Sequence, residues 1–264
     1  MSALHTLWQQ RDLLKSLAWR DIAMRYKGSS IGLLWAIITP LLLLAIYTAV
    51  FSGIFQARWG QTGGPLEYAL QLFVGLTVHG LAAECLNRSP AVMLNNVSYV
   101  KRVVFPLHLL PLVTLASALF HFVISVIILV LFYIVTKQHI PVMGIIYTPI
   151  IILPYVVWLS GISYLLSGLG VYFRDITQLM GLITTILLFL SPVFYPASML
   201  PERLQVIFMF NPLTLIIEQV RAVLLDGGSP DWSGLGLYAI GALLMLAVGI
   251  WSFKKMRRGF ADVL

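Results

Sequence analysis

Glu84 is the one carboxylate that falls within a stretch of this sequence apolar enough to cross a bilayer, and it stands four residues ahead of Arg88. A charge at the bilayer centre costs roughly 2.5–3.5 kcal/mol on insertion scales, and where one is retained it marks an ion or proton path. Ion-driven transport takes several such groups. A single glutamate one helical turn from an arginine fits the cytoplasmic membrane edge better, so the chain offers no energy source of its own. The five histidines, His5, His79, His108, His121 and His139, have no close pairing in sequence and read as interfacial or packing side chains. The lone cysteine, Cys85, excludes an internal disulfide and a cysteine metal cluster. Asp12, Asp21, Asp175 and Asp262 are scattered, whereas a membrane-embedded glycosyltransferase or phosphatase needs acids or histidines gathered at one membrane face. There is no G-x-x-x-x-G-K-[ST] cradle, no G-x-G-x-x-G after a strand and no H-E-x-x-H. Gly28-Ser29-Ser30 follows Lys27 rather than preceding a lysine, so it is no nucleotide loop.

The elements that must carry these residues are membrane spans. Hydrophobic residues make up 59% of the chain and charged ones 10%. A soluble domain carries roughly 25% charged residues, so lipid is the solvent here. The net charge of +7 would suggest nucleic acid only if its location were ignored. Uncharged windows cover 28–57, 68–83, 103–136, 138–173, 176–201 and 232–253. A span needs about 20 residues, and the second window reaches that if Glu84 lies at its end. The expected fold is all-α: one membrane domain with an interface helix at 1–27, six spans over 30–255 and a tail at 256–264. The apolar stretch 204–217, interrupted at Asn211-Pro212, is too short to span and reads as an external re-entrant segment. Pro192, Pro196 and Pro201 break the chain ahead of it. Pro192, Pro196, Asn211, Pro212, Glu218 and Arg221 are thus candidates for an external gate. Glu218 and Arg221 are three apart on a helix and able to pair. A lipid-facing interfacial helix is the plain alternative for this segment.

Six spans set both termini on one side. Of the 17 cationic residues, Arg58, Lys137, Arg203 and Arg221 fall on the other side, which leaves 17 − 4 = 13 with the termini. By the positive-inside rule both termini are then cytoplasmic. Along 1–27, Leu14, Ala18, Ile22 and Tyr26 form one helical stripe, with Arg20, Lys27 and Ser16 facing away. This is the pattern of an amphipathic helix lying in the interface, although Asp21 and Arg25 intrude on its apolar face. The acids among the bases, and the absence of a cleavage site after a short apolar core, distinguish it from a signal peptide.

Five segments, met in order, resemble the permease subunits of ABC-2 type transporters that export O-antigen, capsule or teichoic acid. They are Arg20-Asp21-Ile22-Ala23-Met24-Arg25-Tyr26-Lys27-Gly28-Ser29 running on to Gly32-Leu33-Leu34-Trp35 and Pro40-Leu41; Val100-Lys101-Arg102-Val103-Val104-Phe105-Pro106; Tyr172-Phe173-Arg174-Asp175-Ile176; Ser191-Pro192-Val193-Phe194-Tyr195-Pro196; and Asn211-Pro212-Leu213-Thr214 with Glu218, Arg221 and Gly227. The resemblance implies a homodimer in the bacterial inner membrane. Each subunit would rest on its own ATP-binding cassette subunit, which binds ATP and Mg, so this chain needs no cofactor and does no catalysis. It implies docking on that partner through the interface helix and through residues 91–102, where Asn95, Tyr99, Lys101 and Arg102 lie. Arg174 and Asp175 would add a smaller contact.

By the same resemblance the first and fifth spans line the channel, which points to Trp35, Tyr47, Phe51, Phe189, Phe194 and Tyr195. Aromatic faces let a sugar polymer slide where deep hydrogen-bonding sites would trap it. An interfacial aromatic belt is the alternative, and it suits Phe55, Trp59, Trp232 and Trp251 at span ends. An undecaprenyl-type lipid carrier would enter near Arg20, Arg25, Lys27 and Arg88, whose clustering suits a pyrophosphate. An ABC-2 permease for drugs or lipids is the rival within the family.

Overall fold

The structure is a computed structural model that describes residues 9–50, 64–101, 105–199, 201, 208 and 210–264. Its helices are α1 (Arg11–Arg25), α2 (Trp35–Tyr47), α3 (Pro65–Arg88), α4 (Val97–Val100), α5 (Leu109–Lys137), α6 (Val142–Tyr172), α7 (Ile176–Leu190), α8 (Pro212–Leu224), α9 (Trp232–Met256) and α10 (Phe260–Val263). No strand occurs among the described residues. Among the described residues, five segments are long and apolar enough to cross a membrane: Gly32–Val50, Leu66–Ala91, Leu109–Lys137, Val142–Tyr172 and Trp232–Gly259. The chain is therefore an all-α, multi-pass membrane protein.

The expected crossing at 176–201 has a different form. Its helix, α7, holds 15 residues, about 22 Å at 1.5 Å per residue, against a hydrocarbon core of about 30 Å. It stops at Leu190 because Ser191 precedes Pro192, and the proline ring disfavours helical backbone in the residue before it. Ser191 accordingly sits at φ −107°, ψ 155°. The unwound chain then reaches Phe194, whose carbonyl accepts a hydrogen bond from Tyr68 Oη at 2.9 Å. Asn211 next brings the chain back to the end of α7. Its amide donates to Leu190 O (2.9 Å) and Ser191 Oγ (2.8 Å), while its Oδ1 accepts from Leu213 N and caps α8.

α3 is the central element, with 78% of its apolar window buried, whereas the first span has 11%. α3 buries Leu70, Leu72, Val74, Val78, Leu81 and Cys85 against α5, α6, α7 and α8. α6 and α9 pack together at Gly161 and Gly249: a Cβ on Gly249 would overlap the backbone of Gly161, and one on Gly161 the backbone of Met245 and Leu246. Small residues allow such helix contact in lipid, where apolar burial gives little drive.

A second core lies at one end of the bundle. Met93, Val100, Leu107, Tyr164, Phe253 and Phe260 pack there, and Tyr172 Oη donates to Met256 O at 2.8 Å. That end gathers the α3–α5 connection, the α6–α7 turn and the C-terminal tail. The side with Lys254, Lys255, Arg257 and Arg258 is the one the positive-inside count assigns to the cytoplasm. α1 lies along α5, burying Leu17, Ala18 and Ile22, and reaches α3 through charged side chains. Two of the stripe residues expected from sequence, Ala18 and Ile22, are therefore on the packed face.

Candidate functional site

Asp21 and Arg25 are the two charges that seemed misplaced on the apolar stripe of α1. Each is the base or acid of a four-residue pair, and α3 carries a second such pair, Glu84 and Arg88. At this spacing both members of a pair share one helix face. The two faces meet in opposite directions, so each acid finds the other helix's arginine. Arg88 Nη2 donates to both oxygens of Asp21, at 2.7 and 2.9 Å. Arg25 Nη1 lies 2.5 Å from Glu84 Oε1, and Arg88 Nη1 reaches the same oxygen at 3.1 Å. Such charge-assisted, two-oxygen contacts are stronger than neutral hydrogen bonds. The seam is partly dehydrated, with side-chain exposures of 13% for Glu84 and 32% for Arg88.

α5 closes the seam through His121. Its Nδ1 is 3.1 Å from Glu84 Oε2 and its Nε2 is 2.8 Å from Tyr26 Oη. With the ring proton on Nδ1, the imidazole donates to Glu84 and accepts from the tyrosine. Burial, opposed by Arg25 and helped by Glu84, raises the Tyr26 hydroxyl above its ordinary range, so it keeps the proton it donates. His121, read from sequence as an interfacial or packing side chain, is thus a member of the network.

Two cavities flank the seam. One, of about 520 Å³, is lined by Arg20, Asp21, Asn87, Arg88, Asn95 and Tyr99, among others. The other, of about 290 Å³, is lined by Pro40, Tyr47, His79, Glu84, His121 and Ser125 with apolar neighbours. Asp21 and Arg88 face the first, Glu84 and His121 the second. The ion pairs form the wall between them.

The expected headgroup residues divide accordingly. Arg20, which lies over the Tyr99 ring at 5.5 Å, and Arg88 share the first cavity. Arg25 joins the seam, and Lys27 is exposed just past α1. Of the expected docking residues, Asn95 and Tyr99 line that same cavity, and Tyr99 stacks on Phe105 with centroids 4.3 Å apart. Lys101 is exposed, Arg174 and Asp175 line a separate open groove, and Arg102 lies outside the described residues. Of the aromatic set, Phe189 stacks on Phe194 at 5.7 Å and Tyr195 Oη donates to Phe189 O at 2.7 Å. Tyr47 lines the second cavity, Trp35 is exposed at the start of α2, and Phe51 lies outside the described residues.

At the far end Arg221 is 5% exposed. Its Nε and Nη2 donate to Gln71 O at 3.0 and 2.7 Å, Nη2 also to Val193 O at 3.0 Å, and Nη1 to Pro192 O. Spacing alone suggested Glu218 as its partner. It gave no sign of these three carbonyls, two of which are freed by the break after α7. Pro192 and Asn211 belong to this assembly. Pro196, Pro212 and Glu218 flank it along the chain.

A family model described as ABC-2 type transporter matches residues 12–225. An O-antigen export system permease protein, RfbA, of Klebsiella pneumoniae is 27% identical over 253 residues, covering 96% of this chain and 95% of its own. The RfbA of Myxococcus xanthus is 24% identical over 258 residues, covering 97% and 96%. The polysialic acid transport protein KpsM of Escherichia coli is 20% identical over 246 residues, 93% of each chain.

Proposed function

Because this chain belongs to the ABC-2 type transporter family, we propose that it is the membrane-spanning permease of an ATP-driven exporter. Its cargo is a lipid-linked polysaccharide, O-antigen in the first instance, carried from the cytoplasm across the bacterial inner membrane. The observation that carries this reading is the end-to-end match to two O-antigen export permeases, which covers 95% or more of either chain. The match to a polysialic acid transport protein supports capsule polymer as the second candidate cargo.

The working form is a homodimer of permeases on two ATP-binding subunits, which hold the ATP and Mg. Both termini are cytoplasmic, and six crossings are completed when the unwound 191–195 segment extends α7. The partner docks beneath the first cavity at Asn95, Tyr99, Lys101 and Arg102, with Arg174 and Asp175 as a smaller contact. The carrier's pyrophosphate is met by Arg20, Arg25, Lys27 and Arg88, since guanidinium groups match phosphate oxygens two at a time. The polymer then slides past aromatic faces at Trp35, Tyr47, Phe51, Phe189, Phe194 and Tyr195. The segment from Pro192 to Arg221 closes the external side as a re-entrant gate.

The test is ATP-dependent transfer of lipid-linked polymer by proteoliposomes that hold the permease and its ATP-binding subunit. Transfer is expected from the pair and from neither subunit alone. Export at the wild-type rate after the four bases are changed together to glutamine would refute the headgroup assignment. Nucleotide hydrolysis by the permease alone would refute the division of labour.

A further inference from the structure

The seam raises a question about the first cavity that the proposed function leaves open. An anion that enters it finds Arg88 already held by the Asp21 carboxylate through two oxygens. We propose that Asp21 is a resident stand-in for phosphate, and that a pyrophosphate headgroup binds Arg88 and Arg20 by displacing it, which removes the first of the polar ties between α1 and α3. This rests on the reading of the chain as a permease for a lipid-linked polymer.

Four observations support the exchange. Arg88 is only 32% exposed, so leaving it without an anion is costly, and a carboxylate is the ordinary way to hold such a group in readiness. Phosphate and carboxylate present paired oxygens to a guanidinium in the same geometry, so one replaces the other without moving the arginine. Asp21 and Arg88 both line the 520 Å³ cavity, beside Arg20 and the amides of Asn87 and Asn95, so the contact is reached from open space and further donors await a doubly charged group. Neither carboxylate is orphaned afterwards. Asp21 is 30% exposed and turns to water, while Glu84 keeps Arg25 on one oxygen and His121 on the other.

The consequence for α1 follows from where its ties lie. Asp21–Arg88 holds the helix one turn before its C-terminal end. Arg25–Glu84 and Tyr26–His121 hold its C-terminal end. When the first tie is exchanged and the others stay, the part of α1 ahead of Asp21 is held only by the apolar packing of Leu17 and Ala18 on α5, and it swings about the C-terminal end. The wall between the cavities then opens on the side where the headgroup has bound, and Glu84 and His121 remain as the boundary of the second cavity.

The permease with its ATP-binding partner, in phosphatidylcholine nanodiscs, provides the test. Binding is measured together with amide hydrogen exchange of residues 11–20. Undecaprenyl pyrophosphate is expected to speed exchange in this segment, and Asp21→Asn to bind it about tenfold more tightly, since one charge-assisted competitor is removed. Asp12→Asn, an exposed change on the same helix, controls for net charge and is expected to leave affinity unchanged. Arg20→Gln, which gives up the contact with Tyr99 but leaves the Asp21–Arg88, Arg25–Glu84 and Tyr26–His121 ties in place, is expected to weaken binding. Inorganic pyrophosphate is the second arm. If it too releases the helix, the exchange stands and the prenyl tail contributes affinity alone.

Release by phosphatidylglycerol without pyrophosphate, or Asp21→Asn binding no tighter than wild type, overturns the proposal. If export is intact while Asp21→Asn changes nothing, the exchange fails and the permease reading survives. If the wild-type pair exports nothing, the permease reading fails first.

Discussion

Two arginines hold this protein together at opposite ends, and they do so in different ways. Arg88 faces carboxylates at the edge of an open cavity. Arg221 is enclosed and donates to the backbone carbonyls of Gln71, Pro192 and Val193. A carboxylate is a mobile side chain, and another anion can take its place. A carbonyl fixed in a broken helix has no substitute and nowhere to go, and in lipid no water replaces its donor. The first arrangement suits a contact that changes during a transport cycle. The second suits a fixed support for irregular backbone.

The sharpest way to break this contrast is to remove the fixed support. Arg221→Met keeps the length and loses all the donors. The carbonyls of Pro192 and Val193, which have no helix to return to, then lie unpaired at about 1–3 kcal/mol each, a loss on the order of 4 kcal/mol. The variant is expected to show the largest fall in melting temperature in detergent, and to lose export through misfolding. A melting temperature within a few degrees of wild type would show that Arg221 is not what holds the break.

Arg88→Lys sharpens the same comparison at the other end. An ammonium keeps the charge but lacks the fork that lets Nη2 hold Asp21 while Nη1 reaches Glu84, and the change is expected to cost about 1–2 kcal/mol. Melting should shift modestly while export falls severalfold, so function suffers more than stability. The opposite order would make the seam purely structural.

The smallest effect is that of salt. Raising it from 0.1 to 1 M shortens the screening length from about 10 to about 3 Å. Arg25 is 45% exposed in the seam, so hydrogen exchange in α1 should quicken severalfold. Exchange in α8, whose arginine is buried, should stay the same. Equal responses would erase the distinction.

Much of this was legible from residue order. The scarcity of charge dictated lipid as solvent, and the apolar windows located the five long spans, because hydropathy is a local sum that needs no partner. Pro192, Pro196 and Pro201 marked a break in the chain, since a proline removes a backbone donor, although the exact end of α7 at Leu190 was not read from them. The stripe of α1 was visible in its period. The meaning of Asp21 and Arg25 was not, since a charge on an apolar face looks like an error until the facing helix is known.

Asp21 meets Arg88 across 67 positions, and Arg221 reaches Gln71 across 150. The direction and register with which two helices cross decide such pairs. The sequence by itself determined which segments lie in the membrane and where the chain must bend. Only the tertiary structure decided which charges face each other, because pairing depends on distances of a few ångströms between segments whose order along the chain sets no such distance.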